Sequence, residues 1–133
     1  MKPRIRVIGL FIISLELAFF IFAKPRIETF VEEYQQKTAT QIEVQNWDSP
    51  LLCYKMHTGL YPSTQQGLMA LIQPPEGVTG WRGPYLMTKD TPLEHWRNPY
   101  HYRFPGIHNP SSYDVWSSGP DGIDGTPDDI GNW

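Results

Sequence analysis

YDVWSSGPDGIDGTPDDIGNW, residues 113–133, joins two unlike pieces of chain. Tyr113 to Trp116 reads as a short β-strand. From Ser118 onward the chain becomes acidic and irregular. Asp121, Asp124, Asp128 and Asp129 fall within nine residues, interleaved with Pro120, Gly122, Gly125 and Pro127. The glycines and prolines keep this stretch out of helix and sheet. Crowded carboxylates repel one another unless they are solvated or bridged by a cation. A loop rich in oxygen, with no thiol and no imidazole, suits a hard cation such as calcium, which takes about six to eight oxygen ligands. Asp, Gly and Pro are equally the ordinary residues of solvated turns, so composition leaves both readings open. The EF-hand pattern does not fit, because Ile123 stands at its third position and no glutamate closes the loop.

The rest of the chain sets bounds on what this loop belongs to. A length of 133 residues allows one small domain and an anchor. The net charge of −3 conceals an asymmetry: residues 1–26 carry +4 and the remainder −7. An acidic body argues against nucleic acid, since phosphate binding needs clustered Lys and Arg. Cys53 is the only cysteine, so no intrachain disulfide is possible. A domain this small then needs another source of stability, and a bound metal is one. Thirteen prolines, eleven glycines and eighteen aromatic residues describe a loop-rich but packed fold, because disordered chains are poor in aromatics. Gly and Pro concentrate after residue 59, which places helix first and turns with short strands after it.

Val7 to Ala23, VIGLFIISLELAFFIFA, holds a single charge, Glu16. Flanking Lys and Arg at both ends favour a membrane anchor with a cytoplasmic N-terminus. A cleaved signal peptide and a buried core helix are the competing readings. Glu16 in lipid calls for protonation, snorkelling or a charge on a neighbouring subunit. Glu28 to Asn46 continues as helix, with Phe30, Val31, Tyr34, Thr38 and Ile42 forming a thin apolar stripe that needs a cover. Ser49-Pro50 reads as the N-cap and first residue of a second helix, with Leu51, Leu52, Tyr54 and Met56 on its apolar face and Gly59 as its stop. Ser63 and Gln66 form a capping box for a third short helix carrying Leu68, Met69, Leu71 and Ile72. Pro84–Met87, Tyr100–Phe104 and Tyr113–Trp116 are the strand candidates, separated by Asn98-Pro99, Pro105-Gly106 and Asn109-Pro110.

Chemistry-bearing residues outside the loop are sparse. Cys53 and His57 share helical spacing but lack two further zinc ligands, so Cys53 reads as a small core residue. The five tryptophans read as core anchors. No local motif places a nucleophile, base and acid together.

Five separated segments occur in one order: YPSTQQGLMALI (61–72), WRGPYL (81–86), NPYHYRFPGIH (98–108), YDVWSSGPDG (113–122) and GTPDDIGNW (125–133). Over residues 28–133 the chain resembles the C-terminal domain of the major pseudopilin of type II secretion systems. The resemblance implies an α+β, pilin-like fold, in which a long N-terminal helix packs on a small antiparallel β-sheet with a calcium-stabilised C-terminal loop. The implied ligands of the Ca2+ are the carboxylates of Asp121, Asp128 and Asp129 and backbone carbonyls near Ser118 and Ile123, with Asp124 given no ligand role. The implied organisation is a membrane anchor over residues 1–27 and a periplasmic domain over 28–133. Such a protein is single-pass in the bacterial inner membrane and is not an enzyme. It is a structural subunit of a pseudopilus that assists protein export across the outer membrane. Its implied partners are further copies or other pseudopilins, and inner-membrane components of the secretion system.

The chain departs from the family pattern in three places. The N-terminal string Gly-Phe-Thr-Leu-Ile-Glu is absent from it, which keeps a non-polymerising, membrane-anchored accessory protein as an alternative. A secreted hydrolase domain with a calcium-stabilised loop is a second one. Glu94-His95-Trp96-Arg97-Asn98-Pro99 replaces Asp-Pro-Trp-Gly-Asn-Pro, so a positive backbone angle at Arg97 would be strained or rearranged. Two extra residues lengthen the turn around Asn109–Ser112.

Overall fold

The computed structural model describes residues 16–133. The chain divides into two compact units, residues 1–35 and 36–133. The described part of the first unit is helical throughout. It contains a π-helical stretch, Phe19–Ala23, and the first half of helix α1, Lys24–Asn46. The widened turn stands directly before Pro25, which lacks an N–H and whose ring crowds the carbonyl four residues earlier. Lys24 Nζ lies 3.6 Å from Glu28 Oε1 and 5.1 Å above the Phe20 ring. Leu17, Phe19, Phe20, Ile21, Phe22, Ile27, Phe30 and Tyr34 are exposed. Among the described residues no helix is long and apolar enough to cross a membrane. The first nine positions of the apolar run Val7–Ala23 lie outside them.

In the second unit, α1 presents Thr40 and Val44 to the core. The expected buried stripe through Phe30, Val31, Tyr34, Thr38 and Ile42 is not found, because all five are exposed. The buried positions are instead Val44, in the core, and Thr40, whose Oγ1 lies 3.4 Å from His95 Nδ1. After Trp47 the chain enters α2, Asp48–Thr58, earlier than the Ser49-Pro50 signal predicts. Asp48 opens the first turn, where a carboxylate is favoured by the helix dipole, and its Oδ1 accepts the Tyr113 hydroxyl. Leu51 and Tyr54 are buried, whereas Leu52 and Met56 face solvent. Cys53 is exposed rather than in the core. Gly59 ends the helix as its sequence predicts, at φ 92°.

The capping box forms. Ser63 N donates to Gln66 Oε1 at 2.8 Å and Gln66 N to Ser63 Oγ at 3.2 Å. Gly67, at φ 60°, then interrupts the helix, and only one 3-10 turn follows, Leu68–Leu71. Leu68, Ala70 and Leu71 are buried there. Pro84–Met87 is not a strand. Tyr85 N and Leu86 N both donate to the Leu71 carbonyl, at 2.7 and 3.3 Å, so this stretch clamps the turn.

Three strands make the sheet: β1, His101–Arg103; β2, Asp114–Ser117; β3, Ile130–Gly131. Their order is β1-β2-β3, both pairs antiparallel, with Tyr102 opposite Val115 and Trp116 opposite Gly131. The core lies between α1–α2 and this sheet, where Val44, Trp47, Leu51 and Tyr54 meet Tyr100, Tyr113 and Val115. Polar ties cross the same layer. Tyr100 donates to Glu43 Oε2 at 2.7 Å, and Gln41 Nε2 to the Gly131 carbonyl at 3.2 Å. Burial, reinforced by bonds to Glu43 and Asp48, pushes the Tyr100 and Tyr113 phenols well above the usual range. Of the five tryptophans only Trp47 is buried. Trp133 is half exposed, its ring stacked 3.8 Å from that of His108.

The turn at residues 94–98 places a residue other than glycine in the left-handed region. Arg97 is the one non-glycine residue with positive φ among the described residues, at 70°. The buried Glu94 carboxylate imposes this bend by accepting from Trp96 N at 2.8 Å and Asn98 N at 2.5 Å. The left-handed conformation costs about 1–2 kcal/mol, so the strain is retained rather than relieved.

The longer turn after β1 is organised by Asp114. Its buried carboxylate accepts the backbone N–H groups of Ile107, His108 and Asn109 at 2.6, 2.9 and 3.0 Å, and Asn109 Nδ2 at 3.0 Å. Burial pushes its pKa up, but the bonds from His108, Ile107 and Asn109 outweigh it and hold the group below the usual value. A depressed folded pKa gives stability that is present above the unfolded value and lost as pH falls through the folded one. Asp114→Asn should therefore destabilise the protein by about 2–4 kcal/mol at neutral pH. Denaturant unfolding should show the gap to wild type closing below about pH 4; a gap unchanged from pH 7 to 3 would contradict this account.

Candidate metal-binding loop

Residues 118–129 connect β2 to β3. Gly119 adopts φ 65°, and a Cβ there would lie 2.3 Å from the Asp128 carbonyl oxygen. Only glycine lets the two ends of the loop come this close. Asp128 Oδ2 accepts Asp121 N at 3.2 Å, Asp121 Oδ1 accepts Ile123 N at 2.8 Å, and Asp129 Oδ2 accepts Gly125 N at 2.9 Å.

Three further oxygens of the loop meet at one hydroxyl. Thr126 Oγ1 lies 3.1 Å from Asp121 Oδ2, 3.1 Å from the Ile123 carbonyl and 2.6 Å from Asp128 Oδ1. One hydroxyl has a single proton for these three acceptors. Asp129 Oδ1 is buried with no hydrogen-bond partner. The Thr126 hydroxyl, together with Asp121 N, holds the Asp128 carboxyl below the usual range, so it stays charged beside its neighbours. Among the described residues no three Asp, Glu, His or Cys side chains form a metal cage by themselves. The oxygens that do converge belong to two carboxylates, one carbonyl and one hydroxyl. This set is all oxygen, the ligand type a hard cation takes.

The residues named from sequence divide accordingly. Asp121, Asp128 and the Ile123 carbonyl share the Thr126 hydroxyl, whereas the Asp129 carboxylate is not among these contacts: its Oδ2 accepts Gly125 N and its Oδ1 has no hydrogen-bond partner. Ser118 is buried, its Oγ 2.7 Å from His101 Nε2, which ties the start of the loop to β1. Asp124 stands apart and accepts the indole N–H of Trp116 at 2.7 Å. Thr126 is the residue that sequence reasoning missed. Its signal is that it carries the one hydroxyl between Asp121 and Asp129. Cys53 and His57 form no metal pair; His57 Nδ1 lies 3.0 Å from the Tyr85 hydroxyl.

The family model for the type II secretion system (T2SS), protein G, matches residues 29–133. This chain belongs to that family. The type II secretion system core protein G of Pseudomonas aeruginosa is 45% identical over 87 residues, covering 60% of this chain and 58% of that protein. Its counterpart in Aeromonas hydrophila is 39% identical over 103 residues, covering 74% and 68%. The chain thus spans under two thirds of the length of the Pseudomonas relative. In three dimensions it is similar to the crystal structure of the major pseudopilin from the type 2 secretion system of enterohaemorrhagic Escherichia coli. The TM-score is 0.66 at 30% identity, with 77% of this chain and 86% of that one covered. The fold is pilin-like, with a long helix on a small antiparallel sheet.

The separate role of Asp124 in this family member can be checked directly. Asp124→Ala should shift the Trp116 indole N–H resonance and cost about 0.5–1.5 kcal/mol in unfolding free energy. An unmoved indole resonance would show that the bond does not form in solution.

Proposed function

We propose that this protein is a structural, non-enzymatic subunit of a type II secretion pseudopilus that assists protein export across the outer membrane. The observation that carries this reading is the family match over residues 29–133 on a pilin-like fold. Its partners are further copies of itself or other pseudopilins, together with inner-membrane components of the secretion system. Residues 1–27 anchor it in the inner membrane by a single pass and place residues 28–133 in the periplasm.

Loop 118–129 holds one structural calcium ion in this proposal. Asp121, Asp128 and Asp129 supply carboxylates, and Ser118 and Ile123 supply carbonyls. When bound, the ion contributes positive charge that offsets the repulsion of the clustered carboxylates. The chain's own part is to gather them. Gly119 permits the close approach to Asp128, the Asp121 and Asp129 carboxylates cap backbone N–H groups of the loop, and β2 and β3 fix its two ends. Support comes from the orphaned Asp129 Oδ1 and the single proton shared at Thr126.

Calcium at one hundred times its dissociation constant should stabilise the full chain in detergent by about 2.7 kcal/mol. This reads as a rise in Tm that chelator reverses and that Asp128→Ala abolishes; no calcium-dependent shift in the wild-type protein would defeat the site. For the subunit reading, the full chain produced alongside its secretion system should co-purify with other pseudopilins in sheared surface filaments. Its recovery only as a monomer in the membrane fraction would favour the accessory-protein alternative.

A further inference from the structure

We infer that Arg97 is an intermolecular anchor, whose guanidinium binds a carboxylate on a second copy of this chain. This rests on the subunit reading above and names one contact between copies. Glu94 N donates to the Asn98 carbonyl at 3.0 Å and Arg97 N to the Glu94 carbonyl at 2.8 Å, with Leu93 bridging Pro99 in antiparallel fashion outside them. His95, Trp96 and Arg97 are therefore the three loop residues of a tight hairpin. The last residue of such a loop takes the left-handed conformation, the natural place for glycine. Arg97 holds it instead, at φ 70°. Residues kept in such strained backbone regions cluster at functional sites.

Within the chain this side chain has no task. Arg97 is exposed, and among the described residues its guanidinium has no hydrogen bond or ion pair. The acids of this region are already engaged. Glu94 accepts Trp96 N and Asn98 N, and Glu43 meets the Tyr100 hydroxyl and His95 Nδ1. Exposed Leu93 and Pro99 and half-buried Trp96 flank the tip. A surface laid against it would exclude water and strengthen any charge pair made there. Charge selects the occupant. The −7 of residues 27–133 comes from thirteen carboxylates against six Lys and Arg. A free cation on so acidic a body finds its complement on another copy of that body, and the planar guanidinium fork matches a carboxylate.

The test uses the full chain in detergent, with analytical ultracentrifugation for self-association and thermal unfolding for the backbone. Arg97→Gly removes the strain and the charge together; Arg97→Gln removes the charge alone. Arg97→Gly should raise Tm by about 4–8 °C, and Arg97→Gln should leave it unchanged. Both should weaken self-association tenfold or more, a split between stability and assembly that a purely structural Arg97 would not give. Arg97→Lys keeps the charge and offers carbodiimide an amine. In a mixture of isotope-labelled and unlabelled chains, mass spectrometry should then find position 97 joined to a carboxylate of the other copy. Self-association unchanged in Arg97→Gly overturns the inference and leaves the subunit reading standing. So does a Tm that fails to rise, or a cross-link confined to one chain. A wild-type chain that stays monomeric at every concentration removes the subunit reading and this contact together.

Discussion

The buried carboxylate of Asp114 is the constraint on which the sheet end of the structure depends. It gathers three consecutive backbone N–H groups from the turn after β1 and so fixes the path of residues 105–113. Asn109, held in that turn, reaches the Tyr113 carbonyl and Asn132 with the same side chain. Asn132 in turn takes Val115 N on its Oδ1 and donates to the Tyr113 and Val115 carbonyls. Side chains thus extend the two-residue β3 as though it were a longer strand. Three short strands with 9 residues among them would be marginal as an isolated sheet. They persist because this polar lattice closes one end and α1 with α2 covers one face.

That lattice also explains how an acidic loop can be held in a compact form. β2 and β3 deliver both ends of residues 118–129 already paired, with Ser118 fastened to His101 and Trp116 to Asp124. The loop closes between fixed posts, so the carboxylates meet without an ordered helix or strand of their own. Its irregular backbone is a result of prolines and left-handed glycines, and the meeting of Asp121, Ile123 and Asp128 at Thr126 is a result of closure.

Local chemistry was legible in the sequence, and tertiary choice was not. The Ser63–Gln66 box, the Gly59 stop and two of the three strands follow from nearest-neighbour rules and are found where those rules put them. The acidic loop was likewise visible, as a stretch that glycine and proline keep out of helix and sheet. The errors share one cause. Which face of α1 is buried is decided by Tyr100, Tyr113 and Val115, more than fifty residues away, so apolar periodicity alone chose Phe30, Tyr34 and Ile42. β3 escaped notice because two residues carry no pattern, and Pro84–Met87 looked like a strand because its carbonyl partner is a 3-10 turn. Thr126 was passed over because a hydroxyl among carboxylates reads as turn chemistry until its three neighbours are known.

The ties between helix and sheet have a consequence for the chain while it is being made. Tyr113 meets Asp48 across 65 residues, and Gln41 meets Gly131 across 90. At about 5–20 residues per second, Asp48 leaves the ribosome roughly 3–13 s before its partner. In that interval the Leu68–Leu71 turn and Tyr85 can reach α2, but the sheet that completes the core over Val44, Leu51 and Tyr54 is still missing. The second unit therefore cannot close its helix-to-sheet contacts until nearly the whole chain has emerged, which sets the completion of its core at the end of synthesis.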